Sequence, residues 1–230
     1  MIVFQRLLLL LMMLVATTVT ADNDAFTPEF LAQIAQKYGN SARERVVNWQ
    51  HLIESAQANH TSEWDRIHTV NDFFNQIPFV SDLQHWHRAD YWATPVEFLA
   101  TDGGDCEDFS IAKYFTLREM GVPDDHLRIT YVKALRLNEA HMVLAWYETP
   151  QSDPLILDNL IPGIEPASRR TDLLPVYSFN GSNLWMSKER GQGRLVTGGS
   201  RRINLWRDLN LRMQQQRERG RSYTAKSMTQ

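Results

Sequence analysis

One cysteine in 230 residues is the sequence's most telling scarcity. A single thiol cannot close an internal disulfide, nor can it build a thiolate-rich zinc or iron–sulfur site. Past residue 21 no apolar run approaches the roughly 20 residues needed to span a bilayer. There is no internal repeat, no low-complexity tract and no D-x-D-x-D-G spacing of an EF-hand loop. The charged share of 22% is too ordinary, and the aromatic share of 10% too high, for a disordered chain. What remains is a length that suits one globular domain with a real core. Its lone thiol is either a small buried hydrophobe or a nucleophile.

The first residues read as a leader. Residues 1–21 carry one basic residue, Arg6, no acid, and an apolar run from Leu7 to Ala16. Val19-Thr20-Ala21 puts small residues where a signal peptidase reads them, so cleavage is expected after Ala21. Residues 22–230 are then one exported domain, not inserted in a membrane once the signal is removed, and held together by its core without disulfides. Charge divides that domain unevenly. Residues 22–168 hold 10 Lys/Arg against 23 Asp/Glu, whereas residues 169–230 hold 13 against 4. A basic end invites a nucleic-acid reading, but export and the lack of any helix-turn-helix or zinc-finger pattern argue for no nucleic acid. The basic end is expected to pack on the acidic body or to meet an acidic protein partner.

Periodicity predicts helices first and strands afterwards. Thr27-Pro28 starts a helix with Phe30, Leu31 and Ile34 on one face. A second helix covers Ala42–Ala58, and a third carries Trp64, Ile67, Val70 and Phe74 until Pro78 closes it. Phe79–Thr94 reads as an aromatic, histidine-rich loop, followed by a short helix opened by Pro95. Gly103-Gly104 break the chain before a helix from Cys106 to about Met120. The period then changes: Arg128–Leu137, His141–Tyr147 and Leu155–Leu157 read as strands, with a turn at Asn138-Glu139. A basic amphipathic helix and tail begin at about residue 203, frayed beyond Arg219. Helices followed by an antiparallel sheet make an α+β fold.

Cys106 stands at a helix N-terminus, where free N–H groups and the helix dipole favour a thiolate. His141 begins one predicted strand and Asp158 ends another. A nucleophilic thiol needs a base, and the base needs an acceptor that fixes its tautomer, so Cys106, His141 and Asp158 could fill those roles. The same three residue types also occur together by chance, and a buried inert thiol fits the spacing equally well.

The surrounding residues carry a resemblance. Tyr91-Trp92-Ala93-Thr94-Pro95 through Leu99, then Gly103-Gly104-Asp105-Cys106-Glu107-Asp108-Phe109 through Tyr114, resemble the signature of the bacterial transglutaminase-like cysteine proteases. Asn138 to Leu144 is similar to that family's histidine strand, and Leu157-Asp158-Asn159-Leu160 to its aspartate strand. The resemblance implies a papain/transglutaminase-like fold, with the N-terminal helices and a catalytic helix packed on an antiparallel sheet. It implies Cys106 as nucleophile, His141 as base and later acid, and Asp158 as orienter, hydrolysing peptide bonds through an acyl-enzyme. The oxyanion donors would be the Cys106 N–H and a side chain for which Trp86 and Trp92 are candidates. Also implied are a periplasmic location, a large cell-surface biofilm adhesin as substrate, cut in its N-terminal region near paired small residues and so released, and sequestration by the periplasmic domain of an inner-membrane cyclic di-GMP receptor. Acyl transfer to an amine, and a non-catalytic peptide-binding module of the same fold, are the competing readings.

Asp102, Asp105, Glu107 and Asp108 crowd the one cysteine. Carboxylates there oppose thiolate formation. Read from the residues alone they are a helix cap and a solvated first turn, or the oxygens of a cation site. The resemblance implies the second, a calcium ion held by Asp105 and Glu107 and then Asp108, which would reverse the local field.

Overall fold

The computed structural model describes residues 26–187 and 193–227, so the leader expected over residues 1–21 lies outside the described residues. Among the described residues seven α-helices and seven strands run in the order α1 (Pro28–Tyr38), α2 (Asn40–Ala58), α3 (Glu63–Phe74), α4 (Asp82–His85), α5 (Pro95–Thr101), α6 (Cys106–Glu119), β1 (Leu127–Ala134), β2 (Glu139–Trp146), β3 (Leu155–Leu157), β4 (Glu165–Pro166), β5 (Leu173–Phe179), β6 (Leu184–Met186), β7 (Arg194–Leu195) and α7 (Asn204–Ser227). Among the described residues no helix is long and apolar enough to cross a membrane.

Local chemistry explains most of the helix starts. The Thr27 hydroxyl accepts from the Phe30 N–H at 3.2 Å with Pro28 at the first helical position, and the Ser62 hydroxyl caps α3 through the Asp65 N–H at 3.1 Å. Thr94 and Glu97 form a reciprocal capping box at the start of α5. Its other end stops at Asp102, a left-handed residue with φ 56°. There Arg45 of α2 donates to the Leu99 and Ala100 carbonyls at 2.6 and 3.1 Å and pairs with Asp102 at 3.3 Å. This clamp fixes the chain just ahead of Gly103-Gly104.

The strands form one antiparallel sheet in the order β4-β3-β2-β1-β5-β6-β7. Alternation assigns its faces. Met142 and Leu144 of β2 join Ile129, Leu157 and Phe179 in the main core, against Ile111, Ala112 and Leu117 of α6. Val143 and Ala145 point the other way into a small cluster with Val132 and Ile156. Burial at about 25 cal/mol per Å² of apolar surface drives this layering, and α6, buried on nearly all sides, is its centre. The α+β expectation therefore holds, with the helices packed on one face of the sheet.

Three local expectations need correction. The first hairpin turns at residues 135–138, so β1 ends at Ala134 instead of Leu137. Leu135 and Leu137 are exposed there and Asn138 takes φ 57°, which ends the ladder before alternation would. The aromatic segment Phe79–Thr94 is not wholly loop, because it contains the one-turn helix α4. The last helix continues past Arg219 to Ser227, since one glycine at 220 costs a helix only about 1 kcal/mol.

Candidate active site

Cys106 is the first residue of α6, which lies across β2 and β1. The two preceding glycines are there for room. A Cβ on Gly104 would collide with the Asp108 side chain and with the Phe98 ring, and one on Gly103 would meet Val80 Cγ2 at 2.9 Å. Phe79 forms a parallel bridge with Gly104, and the Val80 N–H donates to the Gly104 carbonyl at 2.9 Å. The segment leading into α4 is thereby laced to the loop that presents the thiol.

The thiol donates to Glu107 Oε2 at 2.8 Å, and the backbone N–H of Met142, the residue after His141, faces it closely enough to favour the thiolate. Burial and then the Glu107 carboxylate push the Cys106 thiol far up from its ordinary value. A helix N-terminus stabilises a thiolate by about 1–2 kcal/mol at best, whereas a unit charge about 4 Å away near a protein surface is worth about 4 kcal/mol. Glu107 wins, and the thiol keeps its proton in this arrangement.

A second acidic group adjoins it. One carboxylate oxygen from each of Asp82, Asp105 and Asp108 lies within 4.8 Å of the others. Asp82 Oδ2 accepts from the Tyr91 N–H at 2.5 Å, and Asp108 accepts from the Ala93 N–H at 2.7 Å and the Asp105 N–H at 3.4 Å. Asp82 Oδ1 and Asp105 Oδ1 are buried with no hydrogen-bond partner among the described residues. Burial first, and then neighbouring carboxylates, raises Asp82 to about 6 and Asp105 to about 9, with Asp108 well above its ordinary range. Orphaned buried oxygens on mutually repelling carboxylates suit a hard divalent cation, whose charge and oxygen preference answer both defects. Of the expected calcium set, Asp105 and Asp108 belong to this cluster. Glu107 is bonded to the thiol, and Asp82, 23 residues before Asp105, takes part although no sequence spacing marks it.

His141 and Asp158 meet inside the sheet edge. His141 Nε2 lies 2.8 Å from Asp158 Oδ1, and both side chains are almost completely enclosed. Asp158 Oδ1 also accepts from the Leu160 N–H at 3.0 Å, and Oδ2 accepts from Arg170 Nη2 at 2.7 Å. Burial alone would raise this carboxyl, but His141, Leu160 and Arg170 together bring it down to about 2. Arg170 is a residue that the sequence offers no reason to single out from the basic end.

The two tryptophans differ in setting. Trp92 is 4% exposed and stacks on Phe179 with ring centres 5.7 Å apart, as a core residue does. Trp86 is half-buried against Tyr91 at 4.6 Å, and the indole Nε1 of each of these two tryptophans is buried without a hydrogen-bond partner among the described residues.

Chemically, the ensemble offers a thiol at a helix N-terminus, an imidazole fixed by a carboxylate through one nitrogen, and a cluster of oxygens suited to a cation. A family model for bacterial transglutaminase-like cysteine proteinases matches residues 38–188. Among solved structures, Legionella pneumophila LapG in its EGTA-treated form is 46% identical, with a TM-score of 0.70 over 80% of this chain and 96% of that one. The calcium-bound form of the same protein is also 46% identical, with a TM-score of 0.68 over 80% of this chain and 98% of that one. No curated protein gives a significant match.

Proposed function

The chain belongs to the bacterial transglutaminase-like cysteine proteinases, and from that premise we propose that it is a calcium-dependent endopeptidase of the periplasm using Cys106, His141 and Asp158. The observation that carries the reading is the His141 Nε2–Asp158 Oδ1 hydrogen bond of 2.8 Å, taken with the lone cysteine that opens α6. With Nε2 committed to Asp158, Nδ1 is the nitrogen left to exchange a proton with the thiol. Cys106 Sγ attacks the scissile carbonyl as His141 takes its proton, and the Cys106 N–H at the start of α6 faces the developing oxyanion. His141 then protonates the leaving amine, and water attacks the thioester with His141 as base.

Asp82, Asp105 and Asp108 would hold the calcium ion, with Glu107 within reach of the same group, as its electrostatic coupling to all three carboxyls indicates. When bound, the ion supplies positive charge that offsets the carboxylates holding the thiol protonated. A calcium-bound form of LapG supports this reading.

The substrate proposed is the N-terminal region of a large cell-surface biofilm adhesin, cut near paired small residues and thereby released. The activity is held in check when the periplasmic domain of an inner-membrane cyclic di-GMP receptor sequesters the enzyme. The test incubates the chain lacking residues 1–21 with the adhesin's N-terminal fragment, with calcium or with EGTA, beside Cys106→Ala. A new N-terminus in the calcium sample alone, absent with Cys106→Ala, is expected. An isopeptide cross-link in its place would indicate acyl transfer, and full cleavage in excess EGTA would remove calcium from the proposal.

A further inference from the structure

Asp158 is gripped from outside the Cys–His–Asp set. Its main chain is pinned first: the Asp158 carbonyl accepts from Asn75 Nδ2 at 2.8 Å and from Lys113 Nζ at 3.2 Å. The carboxylate then retains one freedom, rotation of its plane. Oδ1 is occupied by His141 and Leu160, and Oδ2 receives Arg170 Nη2 at 2.7 Å. Arg170 is itself 5% exposed and held by a fork on Asp172, with Nε to Oδ1 at 3.0 Å and Nη2 to Oδ2 at 2.9 Å. One guanidinium nitrogen therefore serves both carboxylates, and its direction is set by the second nitrogen on Asp172.

We propose that Arg170, anchored by Asp172, is a positioning residue for the reaction, fixing the plane of the Asp158 carboxylate and through it the ring of His141. The inference rests on the cysteine-protease reading above. A charge alone does not do this work. A lysine ammonium is a flexible point charge without a planar fork, so it cannot hold two carboxylates in one fixed relation. A geometric role is thereby separable from an electrostatic one, because Arg170→Lys keeps the charge and loses the geometry. A positioning role is also separable from plain structural support. An ion pair that only stabilises the fold leaves the His141–Asp158 hydrogen bond of the folded molecules as it was, whereas loss of the fork loosens that bond in molecules that remain folded.

The test compares wild type with Arg170→Gln, Arg170→Lys and Asp172→Asn in the full chain lacking residues 1–21, with calcium present. Two readouts are taken below each variant's melting temperature: kcat and KM on the adhesin fragment, and the proton resonance of the His141 imidazole N–H, which a hydrogen bond to a carboxylate moves downfield. Arg170→Gln and Arg170→Lys are both expected to lose about 10- to 100-fold in kcat with KM nearly unchanged, the scale on which small misplacements of catalytic groups act. The downfield signal should move upfield or broaden in both. Asp172→Asn should show a smaller change of the same kind, and it decides the matter if the Arg170 variants fail to fold. Wild-type kcat and an unmoved resonance in folded Arg170→Gln, or full recovery by Arg170→Lys, would overturn the proposal. If wild type itself cleaves nothing, the protease reading fails, while the resonance still shows whether Arg170 orients His141.

Discussion

His141 and Asp158 are joined by a 2.8 Å hydrogen bond between Nε2 and Oδ1 within a nearly solvent-free pocket. The bond has two consequences. It turns Nδ1, and not Nε2, away from Asp158, and together with Leu160 and Arg170 it brings the carboxyl down to about 2 in a location where burial would otherwise lift it. A carboxyl lowered on folding contributes stability that is fully present above its unfolded value of roughly 3.9 and disappears as pH falls toward about 2.

Asp158→Asn tests both consequences. The amide can still accept from Arg170, but it invites the wrong imidazole tautomer, a change worth up to about 10⁴ in kcat for a His-dependent nucleophile. Arg170 would also lose half of its paired charge in a buried setting, for which a loss of about 3 kcal/mol is expected. Turnover on the adhesin fragment and urea unfolding measure the two effects. Unimpaired kcat would show that Asp158 does not orient the base.

The N-terminal helices, α6, β1 and β2 were readable because each is long or regular enough to repeat its apolar period, and because Thr27, Thr94 and Gly103-Gly104 punctuate them; the three residues of β3 were marked instead by the turn residues Pro150–Pro154 just before an all-apolar Leu-Ile-Leu. Strands β4, β6 and β7 are two or three residues long, too short for any period to declare itself, and β5 carries a proline at 175 that weakens its strand signal. The family was legible from the residues around Cys106, and the family match over residues 38–188 agrees with it. The partners of that neighbourhood were not. Asp82 lies on a one-turn helix, and it is brought to the loop at Asp105 by the pairing of Phe79 and Val80 with Gly104. Arg170 looks like any other arginine of a basic segment until the chain folds it onto Asp158. Long-range convergence of this kind leaves no spacing in a single sequence.

Asp82→Asn separates a cation ligand from a structural acid. If the three carboxylates form the cation site, removing one charge should weaken calcium binding at least about tenfold, because affinity follows the charge of the ligand set. Calorimetric titration of the full chain measures it, with magnesium as the control that should bind poorly to a site lacking strict octahedral geometry. Unchanged calcium affinity in a folded Asp82→Asn protein would place the ion elsewhere.

Arg212 shows what part of the basic end does. From α7 it reaches back to Glu97 at 2.5 Å, to the Tyr91 hydroxyl at 2.7 Å and to the Trp92 carbonyl, with its guanidinium 4.5 Å over the Tyr91 ring. Hydrogen bonds to a charged group are worth about 1.5–3 kcal/mol when partly enclosed. Arg212→Met should therefore cost about 2 kcal/mol in urea unfolding and lower activity by loosening the Tyr91–Glu97 segment that leads to the site. A neutral substitution would mean that α7 is docked by Trp206 and Leu209 alone, which are both buried in the core.

Lys113 predicts a pH dependence of stability. Its ammonium is fully buried in α6 and donates to Asn71 Oδ1 at 2.8 Å, Asn75 Oδ1 at 2.7 Å and the Asp158 carbonyl. Burial lowers it to about 7, against the smaller upward pull of Asp158 and Asp72. An unfolded lysine titrates near 10.4. Below pH 7 both states carry the proton and the folded state bears the whole cost of burying it. Between about 7 and 10.4 the folded protein has released a proton that the unfolded chain keeps, so this residue makes stability rise with pH, by at most about 1.4 kcal/mol per pH unit. Lys113→Met removes the titration, so the difference between the two pH profiles isolates the proton that Lys113 releases in the folded state. Urea unfolding of both proteins from pH 6 to 9.5 should show wild type gaining on the variant above pH 7. Parallel profiles would mean that Lys113 stays charged in the folded protein across this range, paired more tightly with Asp158 than burial opposes.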